Sequence, residues 1–165
     1  AVVPALRRLS ESTGETAAFF IRDGDCRICL HRVEPSRPVR ASASEGDRMP
    51  LDRGAAGKVL LAYGDPPAAR FAGVREAVHA VSFGERDPET AAIACPVFGP
   101  MGVLFGSVSV SAPRQRMTAS ALRRYTPQIL SAAADLTAAL GGDPSQLRAP
   151  LPARRKTAGR PTDTR

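Results

Sequence analysis

The segment "AAIACPVFGPMGVLFGSVSVSAP", residues 91–113, constrains the chain more than any other. Two β-rich runs, "AAIACPVFG" and "GVLFGSVSVSAP", meet at a "GPMG" turn, the pattern of a hairpin. Alternation in a strand sends neighbouring side chains to opposite faces. Ser109 and Ser111 therefore share one face, and Leu104, Val108, Val110 and Ala112 share the other. Such a pair predicts an antiparallel sheet with one apolar side on a core and a hydroxyl-bearing side open to water or to a ligand.

The flanking segments predict the same architecture. "PALRRLSESTG" reads as a short helix: Pro4 suits the first turn, Leu6 and Leu9 share a face, and Gly14 suits the stop. Residues 16–33 read as a hairpin turning at Asp23-Gly24, and "PVRASASEGDRMP" as a third strand closed by Gly46 and Pro50. "GAAGKVLLAYGDPP" reads as a helix, a second short helix follows over about residues 67–79, and "VSFGE" is extended. From Thr118 onward Leu122, Tyr125, Ile129, Ala133, Leu136 and Leu140 recur at helical spacing up to Gly141-Gly142. Pro127 falls inside this helix and predicts a kink. The order of helix, three strands, helices, two or three strands and helix predicts an α+β fold with a largely antiparallel sheet, not a doubly wound dinucleotide fold.

"MPLDRGAAGKVLLA", residues 49–62, has the superficial look of a phosphate loop. A phosphate loop needs four residues between its glycines and a hydroxyl after the lysine. Here only Ala55 and Ala56 separate Gly54 from Gly57, and Val59 follows Lys58. Cys26-x-x-Cys29 is half a metal motif, but residues three apart on a strand point to opposite faces, and no second pair exists. The sequence therefore implies no metal and no cofactor. His31 and His79 are the only histidines, so a catalytic set is hard to assemble, a Cys95–His79 dyad being the sole candidate in principle.

A chain of 165 residues suits one domain with a real core, and with aromatics at 5% and no tryptophan that core must be built from small aliphatic side chains. No apolar run is long enough to span a membrane, no signal peptide is visible, and three cysteines make no disulfide framework, so the expectation is a cytoplasmic protein without a membrane partner. The formal charge of +7 is concentrated: residues 148–165 hold six basic groups and one acid, a net +5, leaving +2 for the rest. Proline and alanine dominate that segment, which reads as an unstructured basic tail.

In this order, "LRRLSESTGETAAFFIRDGD", "PVRASASEGDRMPLDRGAAGKVLLA", "VSFGE", "CPVFGPMGVLFGSVSVSAP" and a last helix ending "LGG" resemble the effector-binding domain of the IclR family of bacterial transcription regulators. The resemblance covers about residues 4–142. It implies a GAF-like fold: a curved, largely antiparallel sheet with helices on one face and a small-molecule pocket on the other. It implies residues 1–14 as the end of a linker helix, 15–142 as the effector-binding domain and 143–165 as a basic tail. Such regulators bind DNA through an N-terminal helix-turn-helix domain, for which these residues leave no room, so DNA contact is expected only through a domain outside them. A homodimer or tetramer is also implied.

Two departures from the family pattern stand out. Only 19 residues separate Ala62 from Ser82, where relatives have room for two helices, and "Arg53-Gly54-Ala55-Ala56" replaces a more usual Thr or Ser and Ala. A helix N-terminus offers unpaired N–H groups and the positive end of the dipole, so it attracts a carboxylate as readily as a phosphate. Gly54, Ala55 and Ala56 are small enough for a ligand to reach that backbone. By resemblance, the amides of Ala55 and Ala56 hold a small organic acid, Ser109 and Ser111 floor the pocket, Glu85 binds a ligand hydroxyl, and Ala41, Ala92 and Cys95 line it. The reading from another class is a small cysteine-based enzyme or redox sensor using Cys95 or Cys26.

Overall fold

Strand β1 (Thr16–Asp23) is the hinge of the architecture, because its first five residues are buried on both faces of the sheet. The computed structural model describes residues 1–36 and 44–149; Ala41, with residues 38–43 of the expected third strand, and residues 150–165 lie outside the described residues. Helix α1 (Val2–Thr13) precedes β1, and β2 (Cys26–Val33) returns from it as the expected hairpin. Then come β3 (Arg48–Pro50), α2 (Ala55–Ala62), α3 (Ala72–Ala77), β4 (Ala80–Phe83), β5 (Thr90–Phe98), β6 (Leu104–Pro113), α4 (Ala119–Ala139) and α5 (Ser145–Arg148). The six strands form one antiparallel sheet in the order β3-β2-β1-β6-β5-β4. The two hairpins thus meet through the β1–β6 pair, in which Thr16 lies opposite Ser111 and Ala18 opposite Ser109.

Each sheet face has its own core. Ala17, Phe19, Ile93, Cys95, Val97, Val108 and Val110 point toward α1 and α4, where Leu6, Leu9, Ile129, Ala133 and Leu136 close over them. Ala18, Phe20, Cys29 and Ala94 point the other way, toward Val59 and Leu60 of α2. Helices therefore cover parts of both faces, not one face only as the resemblance implied. With both faces covered, a central strand has little room for large side chains. A Cβ on Gly106 would lie 2.6 Å from both the Phe19 ring and the Phe20 carbonyl oxygen.

Helix α4 begins where Thr118 caps it, its Oγ1 accepting from the Ala121 N–H at 3.1 Å. It runs as one continuous helix through Pro127. The carbonyl that loses its donor belongs to Arg123, an exposed residue where water can replace the bond, and Thr126 and Gln128 donate to the neighbouring carbonyls of Leu122 and Arg124. The expected tail boundary at residue 143 is followed by a further short element, and of the proline- and arginine-rich segment 148–165 only Arg148 and Ala149 are among the described residues. Helix α5 buries Leu147, and Arg148 pairs with Asp135. Among the described residues no helix is long and apolar enough to cross a membrane.

The "TGET" block ties the first helix to the last. Gly14 closes α1 in the left-handed conformation at φ 71°, and Glu15, 2% exposed, receives two hydrogen bonds of 2.9 Å from Arg116. Tyr125 donates to the Thr13 carbonyl at 3.3 Å, holding α4 against the same corner. The pair is asymmetric, since the Arg116 side chain is 33% exposed and can be hydrated while Glu15 cannot. Arg116→Ala is expected to destabilise the domain by about 3 kcal/mol or more, because it leaves a buried carboxylate without its counter-charge. Glu15→Gln, which keeps an acceptor and leaves an arginine that reaches water, should cost less. Urea unfolding of the two variants checks this order.

Candidate functional site

On the α2 face the apolar packing is incomplete. Between the start of α2 and the sheet lies a cavity of about 50 Å³. Its floor is Ala18 and Phe20 of β1, Ala92 of β5, and Ser109 and Ser111 of β6; Gly54, Ala55 and Ala56 form one wall, with Glu85 at the β4–β5 loop. The structure thus brings together every candidate residue among those described except Cys95. The two serines arrive by strand alternation. Ser107, on the same face, is committed to the Cys95 carbonyl at 3.2 Å, whereas Ser109 and Ser111 have no protein hydrogen-bond partner among the described residues.

The start of α2 is partly capped by the protein itself. The Gly54 N–H donates to Glu85 Oε1 at 3.3 Å and the Ala55 N–H to Ser82 Oγ at 3.1 Å, while the Ala56 N–H has no acceptor among the described residues. Glu85 also pairs with Lys58, whose Nζ donates to the Val81 carbonyl at 3.1 Å. The lysine of "GAAGK" is therefore a clasp between α2 and β4. Glu85, expected to meet a ligand hydroxyl, occupies part of the helix terminus as a carboxylate, where the dipole favours it. Gly54 has φ 85°, a conformation that glycine adopts without strain.

Cys95 needs correcting. It lies on the strand that carries Ala92, but at the opposite parity, so its side chain enters the core beneath α4 and takes no part in the cavity. Burial pushes its thiol far above the usual cysteine range, which favours the inert protonated form. His79 lines a separate surface cleft with Lys58 and Arg70, so the dyad with Cys95 is not assembled. Cys29 is buried on the α2 face, its thiol pushed up to about 11 chiefly by desolvation, while Cys26 is half-buried at the strand's start. No group of three or more His, Cys, Asp and Glu side chains that could hold a metal occurs among the described residues.

Two contributors escaped the sequence reading. Ser82 caps Ala55 from β4, an element too short to show a reliable pattern. Arg27 of β2 lines the cavity with only 4% of its surface exposed. Its signal was present: it alternates with Cys29 and so faces inward, an unusual place for a charge. Its Nη1 donates to the Pro50 carbonyl at 2.9 Å and to the Arg53 carbonyl. A Cβ on Gly54 would lie 2.8 Å from Arg27 Nη2, and one on Gly57 2.6 Å from Nη1. Both glycines of the "GAAG" motif leave room for this guanidinium.

The thiol environments generate a direct check. In the native protein a disulfide reagent should titrate Cys26 first, and Cys29 and Cys95 at rates slower by at least an order of magnitude, limited by opening of the domain. Fast reaction of Cys95 would favour a thiol-based activity.

The geometry has counterparts among known proteins. The family model described as bacterial transcriptional regulator IclR, C-terminal, matches residues 1–71 and 68–138. The chain is 31% identical over 159 residues to the HTH-type transcriptional regulator BhcR of Paracoccus denitrificans, an alignment covering 81% of this chain and 57% of that protein. It is 27% identical over 161 residues to the HTH-type transcriptional regulator KdgR of Escherichia coli, covering 82% and 61% respectively. The chain thus spans about six-tenths of the length of these curated relatives. Among solved structures, an IclR transcriptional regulator from Silicibacter sp. TM1040 superposes with a TM-score of 0.80 at 28% identity, over 91% of this chain and 68% of that one. The C-terminal domain of a transcriptional regulator from Vibrio cholerae superposes with a TM-score of 0.71 at 32% identity, over 79% and 90%. With its half-barrel sheet, its cavity beside α2 and this family match over nearly all described residues, the chain belongs to the IclR family of bacterial transcriptional regulators and corresponds to their C-terminal domain.

Proposed function

We propose that this domain senses a small organic acid and, in the cytoplasm, controls DNA binding by a helix-turn-helix domain outside these 165 residues. The observation that carries the reading is the convergence, on one small cavity, of an unpaired amide at the start of α2 and two unpartnered hydroxyls on β6. An acid placed there would accept from the Ala56 N–H with its carboxylate and reach Ser109 and Ser111 with its other polar atoms. Gly54, Ala55 and Ala92 line the space without bulk, and Glu85 sits at its rim. A buried water needs about 10–15 Å³ of such volume, so about 50 Å³ corresponds to roughly three to five water-sized positions. That suits an acid of two or three carbons better than an aromatic one.

Such a ligand would act by favouring one arrangement of paired subunits over another, which requires different affinities for the two states. The matching relatives are named as transcriptional regulators, and nothing in the cavity resembles a nucleophile with its base. Sedimentation of the domain at micromolar concentration should show a dimer or tetramer; a monomer at high micromolar concentration would count against control through subunit arrangement.

A thermal-shift screen of short carboxylic acids, followed by calorimetry, tests the site. Ala56→Asp adds bulk and a negative charge at the amide and should weaken binding at least tenfold, about 1.4 kcal/mol. Ala56 is only 4% exposed and packs in the α2-face core, so the favourable dipole is opposed by burial of the new carboxylate, and the comparison is made on variant protein whose own melting transition shows it folded. Ser109→Ala should cost less, about 0.5–1.5 kcal/mol, the net worth of one neutral hydrogen bond. Equal binding by Ala56→Asp and the parent chain would place the effector elsewhere.

A further inference from the structure

We infer that Arg27 is the charge that recognises the acid: the edge of its guanidinium formed by Nε and Nη2 grips the effector's carboxylate beneath the first turn of α2. This rests on reading the cavity as an acid-binding pocket, and adds to it the group that makes ionisation of the ligand obligatory.

Three observations lead there. Arg27 lines the cavity and is almost wholly buried, yet among the described residues it forms no ion pair with a carboxylate. Its hydrogen bonds are unevenly distributed. Nη1 is committed to the carbonyls of Pro50 and Arg53, Nη2 has only the Met49 thioether at 3.9 Å, and Nε has no partner at all. Nε and Nη2 share one edge of the planar fork, the edge that takes a carboxylate through two parallel bonds. Finally, Nη2 lies against Gly54, 2.8 Å from where a Cβ would stand, so its end of that edge lies beside the positive end of the α2 dipole; Nε is sealed from solvent, so a ligand engages it by displacing the side chains that cover it.

Two positive features side by side in a buried place are unfavourable unless an anion joins them. The Phe20 ring, 5.5 Å from the guanidinium carbon, supplies only partial compensation. Burial, with Arg86 adding to it, pulls Arg27 down to about 10 from the usual 12.5, so it remains charged at neutral pH while lacking a counter-charge in contact. Glu85 and Asp52 favour the charged form only from a distance, and Glu85 is itself engaged by Lys58 and Gly54. A carboxylate on the Nε–Nη2 edge would pair the arginine and complete its hydrogen bonding in one step. A neutral ligand of the same shape would leave both unmet.

A charge series of nearly equal size tests this: oxalate, oxamate and oxamide, added to the parent domain at matched ionic strength in sodium chloride. Oxalate and oxamate should raise the melting temperature by at least about 3 °C at saturation, and oxamide should not. In Arg27→Met, which keeps the bulk of the side chain, the apparent affinity for both anions should fall at least tenfold. Arg27→Lys, which restores charge without the fork, should recover part of it. The series on the parent chain decides the matter even if the methionine variant folds poorly. Stabilisation by oxamide equal to that by oxamate would overturn the inference. So would anion responses that survive in Arg27→Met but vanish in Ala56→Asp, and that result would leave the pocket reading intact. No response of the parent chain to either anion would overturn the inference together with the reading of the cavity as a site for short acids.

Discussion

The Arg27 side chain reaches from β2 under the segment that follows β3 and donates to the carbonyls of Pro50 and Arg53. Through these bonds an edge strand of three residues is joined to the first turn of α2. A side chain at Gly54 would meet this guanidinium and would have to adopt φ 85°, and one at Gly57 would meet the Leu51 carbonyl at 2.2 Å as well as Nη1 at 2.6 Å. Lys58, one residue on, fastens the opposite side of the same turn to Glu85 and Val81. A cation from β2 and a cation from α2 itself thus fix the position of a helix terminus, and that terminus is one wall of a cavity that combines the unpaired Ala56 amide, two unpartnered hydroxyls and a buried charge.

The sheet explains why such a cavity exists on one side only. On the α1–α4 face every central position is apolar, and Cys95 is one more small hydrophobe among valines and alanines. On the α2 face the eight-residue helix covers less ground, and strand alternation delivers Ser107, Ser109 and Ser111 to the uncovered part. Ser107 is neutralised by the Cys95 carbonyl, and the next two are left for something else. The polar gap sits in a braced frame. Here the Glu15–Arg116 pair and the Tyr125 hydroxyl hold the frame at one end, well away from the gap. The segment between α2 and β4 holds only the short α3, in keeping with its length in the sequence. The space beside α2 stays correspondingly small, at about 50 Å³.

How much of this could be read from the residues follows a physical pattern. The two hairpins and the long helix declare themselves because each is local: alternation, turn residues and a 3.6-residue repeat act over neighbouring positions. The serine face and the small-residue start of α2 were legible for the same reason. Cys95 was misassigned because a family likeness was carried past a parity argument that already placed it opposite Ala92. An interior rule predicts a break at Pro127, but α4 continues through it; the proline and Arg123, whose carbonyl loses its donor, are both exposed, where solvent can supply the missing bond. Leu147 stands alone between Gly142 and the proline- and arginine-rich segment, with no run of apolar residues there to announce its burial.

The sequence by itself determined the class of fold, the pairing of neighbouring strands, the face on which the serines stand and the family to which the chain belongs, because these depend on short-range periodicity and on motif order. Only the tertiary structure decided that Arg27, Ser82 and Glu85 meet at the start of α2. These residues lie 23 to 31 positions from the groups to which they donate or from which they accept, and their encounter depends on how far the sheet curls and on where the chain before α2 lets the guanidinium lie. Hydrogen bonds and charge have no period along a chain. Their partners are set by distance in space, so the binding chemistry of the cavity became visible only once the two faces of the sheet had been packed.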